Sequence, residues 1–417
     1  MAITDRARTL FASSSGMAVS MAIMNAATYG FTIIAAPRLG TGNYGALIAV
    51  MNVLMVVSVG SLGLQATAAR RISSSPEHTA QIERAIIGVT YRAALALGLL
   101  LLVCVPLIDA VLRLDSIATA LIVPLAAIPL TIMGGQAGIL QGERRWAALG
   151  MVYIAAGVPR LVLGTAFIAW RPTALSALVG VTIGMCVPVL VGWWALRGDR
   201  QPGRTSAAHK GMAILKESVH NGQALFAFFA LSSVDIIVAR NVLSDHDAGL
   251  YAAGLILTKA MLFLPQFVVV VAFPSMATGA ERRRALAVSL AYVTVLGGHG
   301  TAAAWVLSGL AVRFTGGAAF AEIEPQLWLF ARLGTLLSLI QLLVYSVLAR
   351  QGRRSVYAVW VALALVIGIG LTTTTLVSLV TVVVLVDLGL FLVLLAISAY
   401  VVREPAQGTQ QEVDARA

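Results

Sequence analysis

Long apolar runs separated by short polar segments dominate the sequence. Twelve of these runs approach the roughly 20 residues that a helix needs to cross a bilayer. They occupy residues 13–36, 45–67, 85–108, 118–140, 147–170, 174–196, 219–239, 248–273, 285–309, 325–349, 355–373 and 376–402. The last two runs meet at 370–376, which makes their boundary the least secure. The pattern predicts an all-α polytopic membrane protein with twelve transmembrane helices.

Composition supports this class. Hydrophobic residues make up 59% of the chain and charged residues only 11%, whereas soluble domains carry about 25% charged residues. Cys104 and Cys186 both lie inside predicted helices, so we expect neither a disulfide nor a thiol metal site. The sequence predicts no metal and no cofactor, and it lacks the G-x-x-x-x-G-K-[ST] loop of an ATP site.

The basic residues are distributed asymmetrically along the chain. The net charge is +11, which by itself could indicate nucleic-acid binding. However, 20 of the 29 Lys and Arg residues fall on alternate segments that begin with the N-terminus, and five fall on the opposite segments. This alternation is the positive-inside pattern. It predicts that both termini are cytoplasmic and that nucleic acid is not a partner. The first run exceeds a signal-peptide core and is interpreted as a spanning helix.

The longest predicted loop, at 197–217, divides the chain into two halves of six helices. We therefore predict an N-terminal bundle at 1–196, a cytoplasmic linker at 197–217, a C-terminal bundle at 218–402 and a polar cytoplasmic tail at 403–417. Because each half has an even number of helices, both halves would enter the membrane in the same direction. They would then be parallel repeats, related by an axis along the membrane normal.

Two pairs of short motifs support the repeat. "QGERRW" (141–146) and "QGRR" (351–354) each follow the fourth helix of a half, about 210 residues apart. "RLGTGNYGALIAV" (38–50) and "RNVLSDHDAGLYAAG" (240–254) each follow the first helix of a half. In the second pair, Gly45 and Gly249 open the next helix at an offset of 204.

Six charged residues remain inside the predicted helices. A Lys, Arg or Asp at a helix centre costs about 2.5–3.5 kcal/mol on the insertion scale, and such residues normally face a bundle interior or a watery cavity. The six residues are Arg92, Arg160, Asp235, Lys259, Arg332 and Asp387. Four basic residues against two acidic ones favour an anionic ligand. We expect no catalytic residue among them.

Lys259 and Arg160 are the deepest of these cations, and one comes from each half. Lys259 lies about 16 Å into its helix at 1.5 Å per residue, near the middle of the bilayer. Arg binds phosphate oxygens bidentately and Lys acts as a point charge, so both residues are candidates for binding an anionic head group. The alternative is a buried pair with Asp235 or with helix carbonyls. Arg332 and Arg92 are further substrate-binding candidates, although both could instead snorkel to an interface.

The two acidic positions have two interpretations each. Asp235 lies five residues before Arg240, so a structural ion pair with Arg240 or Lys259 competes with a role in ion or proton coupling. Asp387 in the last helix is either a second coupling residue or a partnered packing residue.

Three segments carry a resemblance to a known family: "LGTGNYGAL" (39–47), "LQGERRWAALG" (140–150) and "SDHDAGLYAAGLILTKAMLFLPQFVVVVAFP" (244–274). Together with the six-plus-six topology they resemble the bacterial polysaccharide or oligosaccharide flippases, of the O-antigen and exopolysaccharide type. These belong to the multidrug/oligosaccharidyl-lipid/polysaccharide exporter superfamily. The extra helices of the peptidoglycan-precursor branch are absent from the twelve predicted here.

The resemblance implies a transporter of the bacterial cytoplasmic membrane. It would move a polyprenyl-diphosphate-linked oligosaccharide from the inner to the outer leaflet by alternating access, for cell-surface polysaccharide synthesis. The implied partners are this lipid-linked oligosaccharide, the bilayer, a polysaccharide polymerase and glycosyltransferases.

Three other functions compete with this one. A cation-coupled drug or metabolite exporter of the same fold would need acidic cavity residues for cationic substrates. A membrane-embedded glycosyltransferase or polymerase would need catalytic residues in substantial outer loops. The longest such loop predicted here, 311–325, offers only Glu322 and Glu324, so the sequence does not favour an enzyme. A non-transporting scaffold is also consistent with the sequence.

Overall fold

The computed structural model describes residues 14–198, 211–262, 282–315, 317–348 and 353–401. These residues are almost entirely helical, and no β-strand occurs among them. The helices are α1 (Ser14–Ser74), α2 (Thr79–Val103), α3 (Val105–Leu112), α4 (Ile117–Gly142), α5 (Trp146–Trp170), α6 (Ala174–Leu196), α7 (Gly211–Val242), α8 (Asp245–Leu262), α9 (Arg282–Val306), α10 (Ser308–Thr315), α11 (Leu327–Leu348), α12 (Arg353–Gly370) and α13 (Leu376–Val401). Short 3₁₀ segments cover Pro76–His78 and Gly317–Gln326.

The first two predicted spans form the single element α1, which is interrupted at Gly40. Gly40 has φ 69° and ψ 174°, a conformation that glycine tolerates because it has no Cβ, and Pro37 precedes it without a backbone N–H to donate. Tyr29 and Met55 flank this point, yet they contact Ile256 and Lys259 within one turn of α8. The chain therefore reverses direction at Gly40. We call residues 14–39 the first arm of α1 and residues 41–74 its second arm.

Other boundaries differ from the prediction in smaller ways. The third predicted span is divided at Cys104, just before Pro106, into α2 and α3. The predicted loop 311–325 is incorrect, since α10 continues to Thr315 and a 3₁₀ segment follows from Gly317. The helix α7 begins at Gly211, inside the predicted linker. Residues 199–210, 263–273 and the predicted tail 403–417 lie outside the described residues.

The described helices are those of a multi-pass membrane protein. Eight helical segments among the described residues are long and apolar enough to cross a membrane, judged by length and composition. Large apolar side chains such as Leu95, Leu99 and Trp305 are exposed on helix surfaces, where a bilayer would cover them. The predicted boundary between the last two spans lies between Gly370, which ends α12, and Leu376, which begins α13.

The packing partners within the first half have counterparts in the second. In the first half, α1 packs on α4 and α5, α4 packs on α2 and α6, and α5 packs on α6. In the second half, α7 packs on α12, α8 and α9 pack on α11, and α11 and α12 pack on α13. If the two arms of α1 are helices one and two, each pair matches the pair six helices later.

The two ends of the bundle need names. We call the end that carries Gly40, Arg113, Arg171, Ser244 and the 3₁₀ segment Gly317–Gln326 the Gly40 end. We call the opposite end, which carries Arg70, Arg71, Arg144 and Arg197, the Arg71 end. The arginine distribution predicts that the Arg71 end is cytoplasmic.

Candidate functional site

The two halves meet along α1, α7 and α8, and glycines bring their backbones close together. A Cβ placed on Gly45 would lie 3.4 Å from the Cα atom of Gly249. These are the two glycines that occupy equivalent places in the sequence repeat. A Cβ on Gly249 would in turn lie 2.3 Å from the carbonyl oxygen of Thr41. At the Gly40 end the halves are therefore in backbone contact.

Lys259 lies on this same seam, on the side of α8 that faces both α7 and the second arm of α1. Its Nζ atom donates to the carbonyl oxygen of Ser232 on α7 at 3.0 Å and lies 3.6 Å from the sulfur atom of Met55. Met55 and Lys259 are 204 residues apart, the same offset that separates Gly45 from Gly249. Two neutral acceptors, one of them a weak thioether, therefore hold the lysine between the halves.

Asp235 lies close to this lysine but does not pair directly with it. Its side chain is 2% exposed, and its carboxylate accepts hydrogen bonds from the Tyr251 hydroxyl at 3.2 Å and from the Ile236 backbone N–H at 2.9 Å. Lys259 is near enough to interact with Asp235 electrostatically. Among the described residues, however, no ion pair within 4.0 Å joins them.

Asp387 is the second buried carboxylate. It is 1% exposed, and its Oδ1 atom has no hydrogen-bond partner within the described part of the chain. It interacts electrostatically with Asp235 and with the intervening Tyr251. The structure thus gathers the buried Asp235 and Asp387 and the half-buried Lys259 from three helices into one polar group in the second half, which we call the buried polar group.

Arg160 lies in a separate cavity within the first half. The backbone of α5 is held tightly against α6 there, since a Cβ on Gly184 would lie 2.8 Å from the Arg160 Cα atom. The side chain lines a cavity of about 180 Å³, and its Nε atom has no partner among the described residues. The cavity is also lined by Met24, Asn25, Thr28, Leu130, Met133, Ala156, Met185 and Pro188. The structure therefore does not bring Arg160 and Lys259 into one cavity.

Arg92 and Arg332 lie on the outside of the bundle. Both side chains are exposed. Arg92 shares a face of α2 with Leu95 and Leu99, which are 63% and 64% exposed. Arg332 lies between α9 and α11. Neither joins the buried polar group. The sequence could not show this, because the position of a residue along a helix does not reveal which side of the helix faces its neighbours.

Arg240 has a role that the sequence did not reveal, since it was counted as a loop charge. It is 2% exposed, and its guanidinium donates to the carbonyl oxygens of Leu112 and Arg113 in the other half. The neighbouring Asn241 donates to the Val111 carbonyl oxygen at 2.7 Å. Of the alternatives for Asp235, an ion pair with Arg240 does not occur among the described residues, and Arg240 instead helps to join the halves at the Gly40 end.

A charged contact joins the halves at the Arg71 end. Glu217 on α7 pairs with Arg70 and Arg71 at the end of α1. The Arg71 Nε and Nη2 atoms donate to one Glu217 oxygen at 3.0 and 2.8 Å, and Arg70 donates to the other. Glu217 is 17% exposed and Arg71 14% exposed, whereas Arg70 is 69% exposed. We call these three residues the Arg–Glu clamp.

Comparison with solved structures shows which fold this arrangement belongs to. An inward-facing multidrug resistance MATE family transporter of the MOP superfamily superimposes with a TM-score of 0.74 at 14% identity, over 90% of this chain and 94% of that one. The lipid II flippase MurJ in an inward closed conformation gives a TM-score of 0.69 at 14% identity, over 93% of this chain and 88% of that one. An outward-facing MATE family transporter gives 0.62 at 16% identity, over 93% and 94%.

At the level of sequence, no curated protein matches the chain. A family model described as "Polysaccharide biosynthesis protein" matches residues 12–280, which is well over half of the 417 residues. This match agrees with the resemblance found in the sequence, and the MATE and MurJ structures share the fold. The chain belongs to the polysaccharide biosynthesis protein family.

Proposed function

We propose that the protein is a flippase that moves a polyprenyl-diphosphate-linked oligosaccharide from the inner to the outer leaflet of the bacterial cytoplasmic membrane. The observation that carries this proposal is a cation, Lys259, whose hydrogen-bond partners among the described residues are neutral acceptors between the two halves. This cation occurs in a chain of the polysaccharide biosynthesis family with the fold of a lipid II flippase. A polymerase and glycosyltransferases would be its partners in surface polysaccharide synthesis.

The architecture that we propose is twelve spans in two parallel six-helix bundles with cytoplasmic termini. Two findings support it: the helix pairs of the first half recur six helices later in the second, and Gly45 meets its repeat equivalent Gly249. Equivalent residues can touch each other only close to the axis that relates the repeats. The axis would pass between the second arm of α1 and α8, where Lys259 also lies.

Lys259 would bind the diphosphate of the substrate. An ammonium group has three hydrogens to donate, and here they face a carbonyl oxygen and a thioether. A phosphate oxygen is a stronger partner for an ammonium group than either of these acceptors, because its negative charge adds Coulomb attraction to the hydrogen bond. The lysine could therefore turn from Ser232 to the substrate without leaving a charged group unpaired.

Arg160 would bind a second part of the substrate head. Its cavity of about 180 Å³ is large enough for one phosphate group or one sugar ring, and it includes the polar side chains Asn25 and Thr28 from the first arm of α1. Since Arg160 and Lys259 lie in different places, they would act on different groups of the substrate or at different steps of alternating access.

The two buried carboxylates are our candidates for energy coupling. Asp235 and Asp387 share one buried environment with Tyr251, so binding a cation or a proton there would reduce their mutual repulsion. They also favour the second candidate function, a cation-coupled exporter of drugs or metabolites, because a cationic substrate would need buried acidic groups.

Proteoliposomes that contain the purified protein would distinguish these two functions. We expect the wild-type protein to move a fluorescent polyprenyl-diphosphate oligosaccharide between leaflets and to leave a cationic dye untransported. If the dye is exported and the lipid is not moved, the exporter function replaces the flippase. Empty liposomes and a lipid without the diphosphate are the controls.

A further inference from the structure

A groove that opens toward the membrane runs between α9 and α11. Its volume is about 630 Å³, and Arg332 is the one charged residue among the described residues that line it. Gly298 forms part of its wall, and a Cβ placed there would meet nothing within 4 Å. The remaining lining residues are Thr294, Thr301, Ala302, Trp305, Trp328, Thr335, Leu336 and Leu339. The groove is therefore apolar along its length, with a single cation.

A second cavity adjoins this groove at the Gly40 end. Its volume is about 440 Å³, and it shares Trp305 and Trp328 with the groove. It contains Glu322 and Glu324. Tryptophan is enriched where a membrane meets water, so the two indoles mark the level at which the apolar groove gives way to a carboxylate-lined pocket.

Arg332 is the charged group in the groove that can still donate hydrogen bonds to a ligand. In the groove, Thr294, Thr301 and Thr335 each donate their hydroxyl to the carbonyl oxygen four residues earlier, so they offer no hydrogen to a ligand. Arg332 makes no hydrogen bond or ion pair with any described residue, although a guanidinium has five hydrogens to donate. A charged arginine on a lipid-facing surface is costly unless it has a hydrogen-bonding or charged partner.

The two carboxylates are each engaged through one oxygen. Glu322 Oε2 lies 3.2 Å from the His246 Nε2 atom, and Glu324 Oε1 accepts from the Ser308 hydroxyl at 2.7 Å. The second oxygen of each carboxylate has no hydrogen-bond partner within the described part of the chain. Glu322 is 71% exposed, so this pocket is open to a ligand from the membrane surface.

We propose that the groove and the adjoining pocket form a binding site for a phospholipid with a primary ammonium head group, such as phosphatidylethanolamine. The lipid phosphate pairs with Arg332, the ammonium group pairs with Glu322 and Glu324, and an acyl chain lies along Gly298 and Leu339. This site lies away from Lys259 and does not depend on the proposed transport substrate.

Charge complementarity selects this lipid class. A purely anionic head group would satisfy Arg332 through its phosphate but would bring no positive charge to the two carboxylates, and a partner that leaves charged groups unpaired is disfavoured. A choline head group carries the positive charge but has no N–H to donate to a carboxylate. A primary ammonium group satisfies both ends, and its hydrogen bonds to a carboxylate are of the stronger, charge-assisted kind.

Native mass spectrometry of the full-length protein in detergent would test the site. The protein is titrated with phosphatidylethanolamine, phosphatidylcholine and phosphatidylglycerol that carry identical acyl chains. We expect the first lipid to bind about tenfold more tightly than the other two, which is the difference that one charge-assisted hydrogen bond produces.

Three variants and two controls assign the contacts. Arg332→Gln should weaken the binding of all three lipids, and Gly298→Leu should do the same by filling the groove. Glu322→Gln with Glu324→Gln should equalise phosphatidylethanolamine and phosphatidylglycerol. The matched controls are Arg171→Gln, which removes an arginine that stacks on Trp170 at the same end, and Gly368→Leu, at a glycine with nothing within 4 Å. Neither control should change binding.

Two results would overturn the proposal. One is phosphatidylglycerol binding as tightly as phosphatidylethanolamine in the wild-type protein. The other is lipid binding that Arg332→Gln and Arg171→Gln affect equally, which would show that the bound lipids are adventitious. The glutamates lie at the surface, so the double variant tests head-group selection even if the groove variants fail to fold.

Discussion

The Arg–Glu clamp allows a quantitative prediction about alternating access. Glu217→Gln removes the charge that joins α7 to Arg70 and Arg71. A hydrogen bond to a charged group contributes about 1.5–3 kcal/mol, and this value must be reduced because the exposed Arg70 pairing contributes little. We therefore expect the variant to destabilise the closed state of the Arg71 end by about 1–2 kcal/mol relative to the open state. This lowers the ratio of closed to open molecules by a factor of about 5–30.

Distance measurements between spin labels would detect this change in population. The labels are placed at Ser74 and Met212, which lie at the Arg71 end in opposite halves and are both exposed. The native Cys104 and Cys186 are first replaced by alanine. In lipid nanodiscs, Glu217→Gln should shift the distribution toward longer distances, and Arg71→Gln should do so more strongly than Arg70→Gln.

A matched control separates this effect from a general loss of charge. Glu143 pairs with Arg145 inside the first half, with 3.5 Å between their charged atoms, so Glu143→Gln should leave the label distances unchanged. If Glu217→Gln also leaves the distribution unchanged, the clamp does not hold the Arg71 end closed and the reasoning is refuted.

Three further predictions follow from the seam and the buried charges. Gly249→Ala should destabilise the protein by about 1–3 kcal/mol, because the new methyl group would lie 2.3 Å from the Thr41 carbonyl oxygen. The control Gly389→Ala, where a Cβ meets nothing within 4 Å, should not destabilise it. Equal thermal unfolding temperatures of the two variants would contradict the close backbone contact at Gly249. Arg160→Gln should weaken the binding of inorganic diphosphate measured by calorimetry, whereas Arg160→Lys should retain part of it; no change in either variant would remove Arg160 from the site. Asp235→Asn should abolish the dependence of the lipid-flipping rate on an imposed sodium or proton gradient. If the rate of this variant still depends on the gradient, Asp235 does not take part in coupling.

The sequence predicted the bounds of many helices because a helix that crosses a bilayer needs an apolar run of about 20 residues, and such runs are visible in the sequence. The spans at 118–140, 147–170 and 174–196 correspond closely to Ile117–Gly142, Trp146–Trp170 and Ala174–Leu196. It could not show that residues 38–44 contain no polar loop, since the reversal depends on the conformation of Gly40 alone. Nor could it show that 311–325 is largely helical.

The candidate site was predicted only in part, for a related physical reason. Depth along a helix can be counted from the sequence, and it predicted a central position for Lys259, whose Nζ atom the structure places between the two halves. The direction in which a side chain points depends on tertiary packing, so Arg332 and Arg92, which face outward, could not be separated from Lys259. Arg240 and Glu217 were missed because their partners, at Leu112, Arg113, Arg70 and Arg71, lie more than 100 residues away in the chain.

The most direct test of the account is the flipping of a polyprenyl-diphosphate oligosaccharide in proteoliposomes by the wild-type protein, Lys259→Ala and Arg92→Ala. The account predicts flipping by the wild-type protein and by Arg92→Ala, whose arginine lies on the outer surface of α2. It predicts a loss of at least about tenfold in Lys259→Ala that is still inserted and monodisperse, because a charge-assisted contact with the diphosphate is removed. Undiminished flipping by Lys259→Ala would contradict the role of this lysine, and the absence of flipping by the wild-type protein would contradict the proposed function itself.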